Sequence, residues 1–200
     1  NTANTELWNG SNWTEVNNLN ETKNSPGSLG TATAALSFGG NPGSKTNTEL
    51  WNGTNWTEVN NLNQGRYDAG GAGTTTAGLG FGGVAIPIGS PYRTAVTESW
   101  NGTNWTEVND LNTARGELAG AGIQTLALAF GGSSPTIQNA TEEWNGASWA
   151  EVNNLNTARK ALGNAGIQTA ALAFAGNTGS VSAVTEEWSS SSDVIKTLTD

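Results

Sequence analysis

Ten residues after the second Trp of each recurring Trp pair stands a base: Lys23, Arg66, Arg115 and Arg159. These are four of only eight basic residues in the chain. Gathered around one axis, they would form a cationic ring able to capture an anion such as a sugar carboxylate. The other reading, and the favoured one, is that each base neutralises a Glu of a neighbouring repeat. Acids do recur in pairs, Glu6/Glu15, Glu49/Glu58, Glu98/Glu107 and Glu142/Glu151. Close carboxylates repel unless a cation or an Arg lies between them. Oxygen-rich pairs suit Ca²⁺, but the Asp-x-Asp-x-Asp-Gly ligand loop is missing. An acid and a base flanking a cleft suit glycoside hydrolysis, but a catalytic pair is normally unique and these pairs recur in every repeat. The chain has no His, Cys or Met, which removes thiol nucleophiles, imidazole bases and the ligands of most zinc and copper sites. These residues predict a non-enzymatic protein with no cofactor and no metal site.

Composition narrows the partners. Charged residues make up 12% of the chain, about half the usual share. The net charge of −9 argues against nucleic acid, which is bound through a basic face. The longest apolar runs, such as residues 169–174, are too short to span a bilayer as a helix, so no membrane insertion is expected. With no initiating Met, a processed product or a piece of a longer chain is expected.

The residues above are positioned by a repeat. The stretch Trp51-Asn52-Gly53-Thr54-Asn55-Trp56-Thr57-Glu58-Val59 returns at residues 100–108, more loosely at 8–16 and 144–152, and by its front half at Trp188. The first Trp of each copy recurs at steps of 43, 49, 44 and 44 residues, the long step holding an enlarged loop with Pro87 and Pro91. A period of about 40–50 residues built of several short strands is the signature of propeller blades. In the third full copy the segments are residues 118–124, small; 126–130, apolar and followed by Gly131-Gly132; a loop at 133–139; and strands at 141–144 and 149–152. Gly interrupts every apolar stretch and no 3.6-residue period is sustained, so helix is not expected. The small first segment belongs innermost, where blades converge and space is short. The Asn-Gly turn allows a two-residue turn at Asn52-Gly53 or a four-residue loop through Asn55. Both registers put Trp51, Trp56, Glu49 and Glu58 on one face. The expectation is one all-β domain, residues 1–200. It divides into a half repeat (1–16) and four repeats at 17–59, 60–108, 109–152 and 153–200.

The motif Phe81-Gly82-Gly83, Glu98, Trp100, Trp105 and Leu111-Asn112-Thr113-Ala114-Arg115 resembles the kelch repeat family of β-propellers. The other copies match at Phe38-Gly39-Gly40, Phe130-Gly131-Gly132 and, with one departure, Phe174-Ala175-Gly176. The first aromatic is Trp where kelch usually has Tyr and a slightly longer turn, and kelch propellers usually have six or seven blades. The near-identical Trp-Asn-Gly copies are also similar to repeat proteins of marine bacteriophages described as virion structural proteins. That resemblance implies a virion or extracellular location, with other virion or surface proteins as partners.

Four apolar strands ending in Gly-Gly or Ala-Gly stand against five of the Thr-Glu-x-Trp type. Four four-stranded blades are therefore expected, the last completed by pairing N-terminal with C-terminal strands, which removes free edges. The alternative is five blades with one incomplete. End strands paired between chains would give a homo-oligomer. Three Asn-Trp-Thr triplets, at Asn12, Asn55 and Asn104, match the glycosylation acceptor pattern, although turns already account for Asn there. The loops 41–46, 84–93, 133–139 and 177–182 differ while the framework repeats, and loops on a rigid scaffold carry specificity. Tyr92 and Arg93, in the longest, are the best recognition candidates, against simple length drift of a surface loop. The expected function is a phage virion or surface attachment protein presenting variable loops, with a host-surface glycan as ligand. A secreted, lectin-like carbohydrate-binding propeller is the alternative.

Overall fold

The computed structural model describes residues 1–86, 92–190 and 196–198, the last three by backbone alone. It opens with a two-stranded hairpin, β1 (Thr5–Trp8) and β2 (Trp13–Val16). Blade I follows as β3 (Gly27–Thr31), β4 (Ala34–Phe38), β5 (Thr48–Trp51) and β6 (Trp56–Val59). Blade II runs β7 (Gly70–Thr74), β8 (Ala77–Phe81), a small ribbon β9 (Val84–Ala85) and β10 (Tyr92–Arg93), then β11 (Thr97–Trp100) and β12 (Trp105–Val108). Blade III runs β13 (Ala119–Ile123), β14 (Leu126–Phe130), a ribbon β15 (Ser133–Ser134) and β16 (Thr136–Ile137), then β17 (Thr141–Trp144) and β18 (Trp149–Val152). Blade IV is β19 (Gly163–Ile167), β20 (Ala170–Phe174), β21 (Thr185–Ser189) and β22 (Lys196–Leu198). The four antiparallel sheets make a four-bladed β-propeller. Blades I–III each place the variable loop and the crossover to the next blade on one face, and the hairpin turns on the other.

The register follows from the turn residues. Trp51 pairs with Trp56 and Glu49 with Glu58, so the hairpin takes the four-residue loop rather than the two-residue turn. Asn52 selects it: its side-chain oxygen accepts from the Thr54 and Asn55 N–H groups, both at 2.9 Å, a local substitute for a backbone turn.

The small-residue strands are innermost, as their composition predicts. β3 packs on β7, β7 on β13 and β13 on β19. Glycine is needed where they meet: a Cβ on Gly120 would lie 2.5 Å from the Phe81 ring and 2.8 Å from the Gly71 carbonyl oxygen. Apolar cores fill the seams between blades. Leu36 and Phe38 of blade I pack with Trp100 and Trp105 of blade II, and Leu79 and Phe81 of blade II with Trp144 and Trp149 of blade III. The Phe38–Trp105 and Phe81–Trp149 ring centroids lie 5.1 and 4.9 Å apart, a geometry worth about 0.5–1.5 kcal/mol beyond area burial.

The expected closure by pairing the two chain ends is corrected. Blade IV takes all four strands from residues 163–198, and the β1–β2 hairpin is a separate two-stranded sheet whose strands pair with none of the four blades. β20 is followed closely by its own outer strand, and the nearby segment closes the smaller loop. The first hairpin sits instead against blade I as a preceding outer hairpin would. Trp56 Nε1–H donates to Thr5 Oγ1 at 3.0 Å, as Trp105 does to Thr48 and Trp149 to Thr97.

Candidate binding site on the loop face

The four recurring bases lie just before the innermost strand of each blade, as expected, but their charged ends turn away from the axis. Lys23 Nζ lies 3.2 Å from Glu49 Oε1, Arg115 Nη2 3.0 Å from Glu142 Oε1, and Arg159 Nη2 2.7 Å from Glu186 Oε1. Arg66 pairs with Glu98. All eight side chains are buried. Each pair joins elements of a single blade rather than neighbouring blades. The guanidinium groups also hold the loop together: Arg159 Nη1 donates to the Ala175 and Val184 carbonyls at 3.0 and 2.7 Å, and Arg115 to those of Gly131 and Ala140. Burial pushes the Arg66 and Arg115 pKa values down, opposed by the attraction of Glu98 and Glu142.

A second repeated residue, overlooked in the sequence, completes each clamp. Asn20, Asn63, Asn112 and Asn156 each donate their backbone N–H to the second carboxylate oxygen of Glu49, Glu98, Glu142 and Glu186, at 2.6–2.7 Å. The signal was there: an Asn seven residues after every second Trp. The axial channel, about 230 Å³, is lined by small residues of the inner strands, among them Gly30, Gly73, Gly122 and Asn164, and by none of the four bases. The cationic ring is therefore not the geometry adopted; the bases are internal ties.

Around the axis on the loop face, Ser25, Asp68, Glu117 and Ala161 occupy equivalent positions with φ between 48° and 58°. Asp68 N–H donates to Ser25 O, Glu117 N–H to Asp68 O and Ala161 N–H to Glu117 O, each at 2.9 Å. Burial raises the Asp68 pKa, opposed by a hydrogen bond with Ser25.

The variable loops are anchored to these crossovers by isolated bridges, Asn24–Asn41, Tyr67–Val84, Gly116–Ser133 and Lys160–Asn177. In the longest loop, Tyr92 pairs with Ala85 and Arg93 with Val84, and strand alternation sends the two side chains to opposite sides. Tyr92 lines a cavity of about 250 Å³ with Thr46, Asn63, Gln64, Ala85 and Ile86. Tyr92 is 43% exposed, and its hydroxyl accepts from Gln64 Nε2 at 3.2 Å. Gln64 is fixed in turn by Thr94 Oγ1, which donates to its side-chain oxygen at 3.0 Å. Arg93 instead reaches blade III, donating to Ser133 Oγ at 3.1 Å. Tyr92 and Arg93 are thus neighbours in sequence but not parts of one site. Pro87 and Pro91 lie outside the described residues.

The cavity offers an open aromatic face, amides and hydroxyls, and no ionised side chain among its described lining residues. Such a set can stack on and hydrogen-bond a neutral polar ring. No protein-family model matches the chain, and none of the curated proteins matches it.

Proposed function

We propose that the chain is a non-enzymatic, kelch-like attachment propeller of a phage virion or comparable surface, and that its loop face binds a neutral saccharide at Tyr92. The observation carrying this is the Tyr92 cavity, where an exposed ring is held by Gln64 beside amide and hydroxyl groups. Repetition supports it further. The same clamp recurs in all four blades and the Trp pair in blades I–III, while the loops above them differ in length and residue type. That is the division of labour between a rigid scaffold and a recognition surface. The kelch-like reading rests on the Phe-Gly-Gly, Glu-x-Trp and Trp motifs, and the virion reading on the near-identical Trp-Asn-Gly copies.

A lectin with one sugar site per blade is the second reading. It is less well supported, because the loops 41–46, 133–139 and 177–182 contain no aromatic residue. A glycan screen of the intact chain against Tyr92→Ala tests the proposal. Saccharide affinity should fall at least about tenfold, the loss of one stacking contact of ~1.4 kcal/mol, with thermal stability unchanged. An unaltered glycan profile would remove Tyr92 from the site. Finding the chain at fixed stoichiometry in purified particles supports the virion location; its absence from particles refutes it.

A further inference from the structure

The Tyr92 cavity is built from departures from the repeat. Ahead of the buried base, blades I, III and IV carry Glu21-Thr22, Thr113-Ala114 and Thr157-Ala158, where blade II carries Gln64-Gly65. Gly65 lets the variable loop of blade I lie directly on the crossover, since a Cβ there would meet the Ser44 carbonyl oxygen at 2.0 Å. Ser44 and Thr46 of that loop thereby become a wall of the cavity. Gln64 makes the site neutral. Its counterpart in blade I, Glu21, pairs with Lys45, whereas Gln64 pairs with Thr94.

The hydrogen-bond network fixes what these side chains present. Thr94 Oγ1 accepts from the Val96 N–H at 3.2 Å, so its one hydroxyl proton goes to Gln64 Oε1 at 3.0 Å. That orients the Gln64 amide, with its oxygen towards Thr94 and Nε2 towards the Tyr92 hydroxyl. Nε2 carries a second N–H, and the Tyr92 hydroxyl, which accepts from Gln64, keeps its own proton to donate. Two donors therefore stand side by side. Asn63 is the reverse case. Its Nδ2 donates to Glu98 Oε2 at 2.8 Å and to the Trp105 carbonyl at 3.0 Å, so its side-chain oxygen is what it can offer a ligand. Two apolar residues complete the lining, the buried Ala85 and Ile86, which is 39% exposed despite its size. At about 250 Å³, the cavity lies below the range of roughly 300–1,000 Å³ that takes drug-sized ligands, and suits a single ring.

Donors for a carbonyl, an acceptor for an N–H and an apolar surface for a methyl group match a secondary acetamide. Resting on the reading of Tyr92 as a saccharide site, we propose that this cavity selects a sugar ring that carries an acetamido group. The ring lies on Tyr92. The acetamido carbonyl accepts from Gln64 Nε2 and the Tyr92 hydroxyl, its N–H donates to Asn63 Oδ1, and its methyl rests on Ile86 and Ala85. A plain hexose has a hydroxyl at that carbon, which takes part of this hydrogen bonding and leaves Ile86 in water. Gln64 and Ile86 are thus specificity-determining residues, distinct from the stacking role of Tyr92.

The probes are N-acetylglucosamine and N-acetylgalactosamine, each compared with its parent hexose, glucose or galactose. All four are titrated into the intact chain and followed by NMR with saturation transfer to the sugar protons. At least one acetamido sugar should bind about tenfold tighter than its parent, with its acetyl methyl among the most strongly saturated protons. Gln64→Glu replaces the donor Nε2 by a carboxylate oxygen, and Ile86→Ser removes the apolar rest. Each should reduce the preference to about twofold or less with the melting temperature unchanged. Equal affinity for acetamido sugar and parent, both lost in Tyr92→Ala, overturns the acetamido inference and leaves the Tyr92 site standing. A preference that survives in both Gln64→Glu and Ile86→Ser also overturns it, because other residues then confer it. Failure of all four sugars to bind at about 0.1 M, while another glycan binds through Tyr92, overturns the inference alone. If no saccharide binds in a Tyr92-dependent way, the reading beneath it falls as well.

Discussion

Replacing Arg115 by Met tests whether the recurring bases are ties or a binding ring. The guanidinium is fully buried and donates to Glu142 Oε1 at 3.0 Å, Ala129 O at 3.1 Å, Gly131 O at 3.3 Å and Ala140 O. Methionine fills part of the volume but leaves a carboxylate and carbonyls without their donor. Removing one member of a buried pair costs about 3–5 kcal/mol, a large share of the roughly 5–15 kcal/mol that stabilises an ordinary domain. At about 2–4 °C per kcal/mol for a chain of this size, the melting temperature should fall by about 6–20 °C. Tryptophan fluorescence during urea unfolding reads the change, since Trp144 and Trp149 sit in the adjoining seam. Adding Glu142→Gln removes the stranded charge, so the double variant should recover about 1–3 kcal/mol over Arg115→Met alone. A loss below about 1 kcal/mol in the single variant, together with lost affinity for an anionic ligand, would refute the argument and restore the ring.

Three further outcomes follow from the same geometry. Lys23→Arg should stabilise the chain by about 1 kcal/mol in urea unfolding, because a guanidinium adds donors that Lys lacks; blade I is tied by Lys where blades II–IV are tied by Arg. Gly120→Ala should cost about 1–3 kcal/mol, read by thermal unfolding, since its Cβ would meet the Phe81 ring at 2.5 Å. Asp68→Asn should raise stability at pH 7, with the gain shrinking as pH falls towards 4. The sign follows from burial raising the Asp68 pKa: the folded state holds that proton more tightly, so wild-type stability is full below the unfolded pKa and declines as pH rises through the folded one. Melting temperatures of both proteins from pH 4 to 7 measure the difference.

The propeller was legible because its determinants are local. Trp pairs at fixed spacing, Asn-Gly turns and small innermost strands each act within a few residues, and Gly120 occupies the close approach its composition suggested. The partner of each base was less legible. Lys23 and Glu49, or Arg115 and Glu142, are brought together by which strands share a sheet, and sequence spacing does not distinguish a pair within a blade from one between blades. The Asn half of the clamp was visible as a repeat but disguised by an Asn-rich composition. How the ring ends is a competition: β1–β2 and β21–β22 both begin with the Thr-Glu-x-Trp pattern, and chain proximity gave β20 to β21. The separation of Tyr92 from Arg93 follows from the two-residue ribbon β9–β10, which the sequence, read as a loop, did not reveal.

In the proposed function a repeated scaffold carries one recognising loop face, and the two are divided in their roles. Calorimetric titration of the intact chain with a saccharide from the screen, counting sites, tests that division most directly. One site per chain, lost in Tyr92→Ala, is the predicted result; four or more equivalent sites, unaffected by Tyr92→Ala, would contradict it.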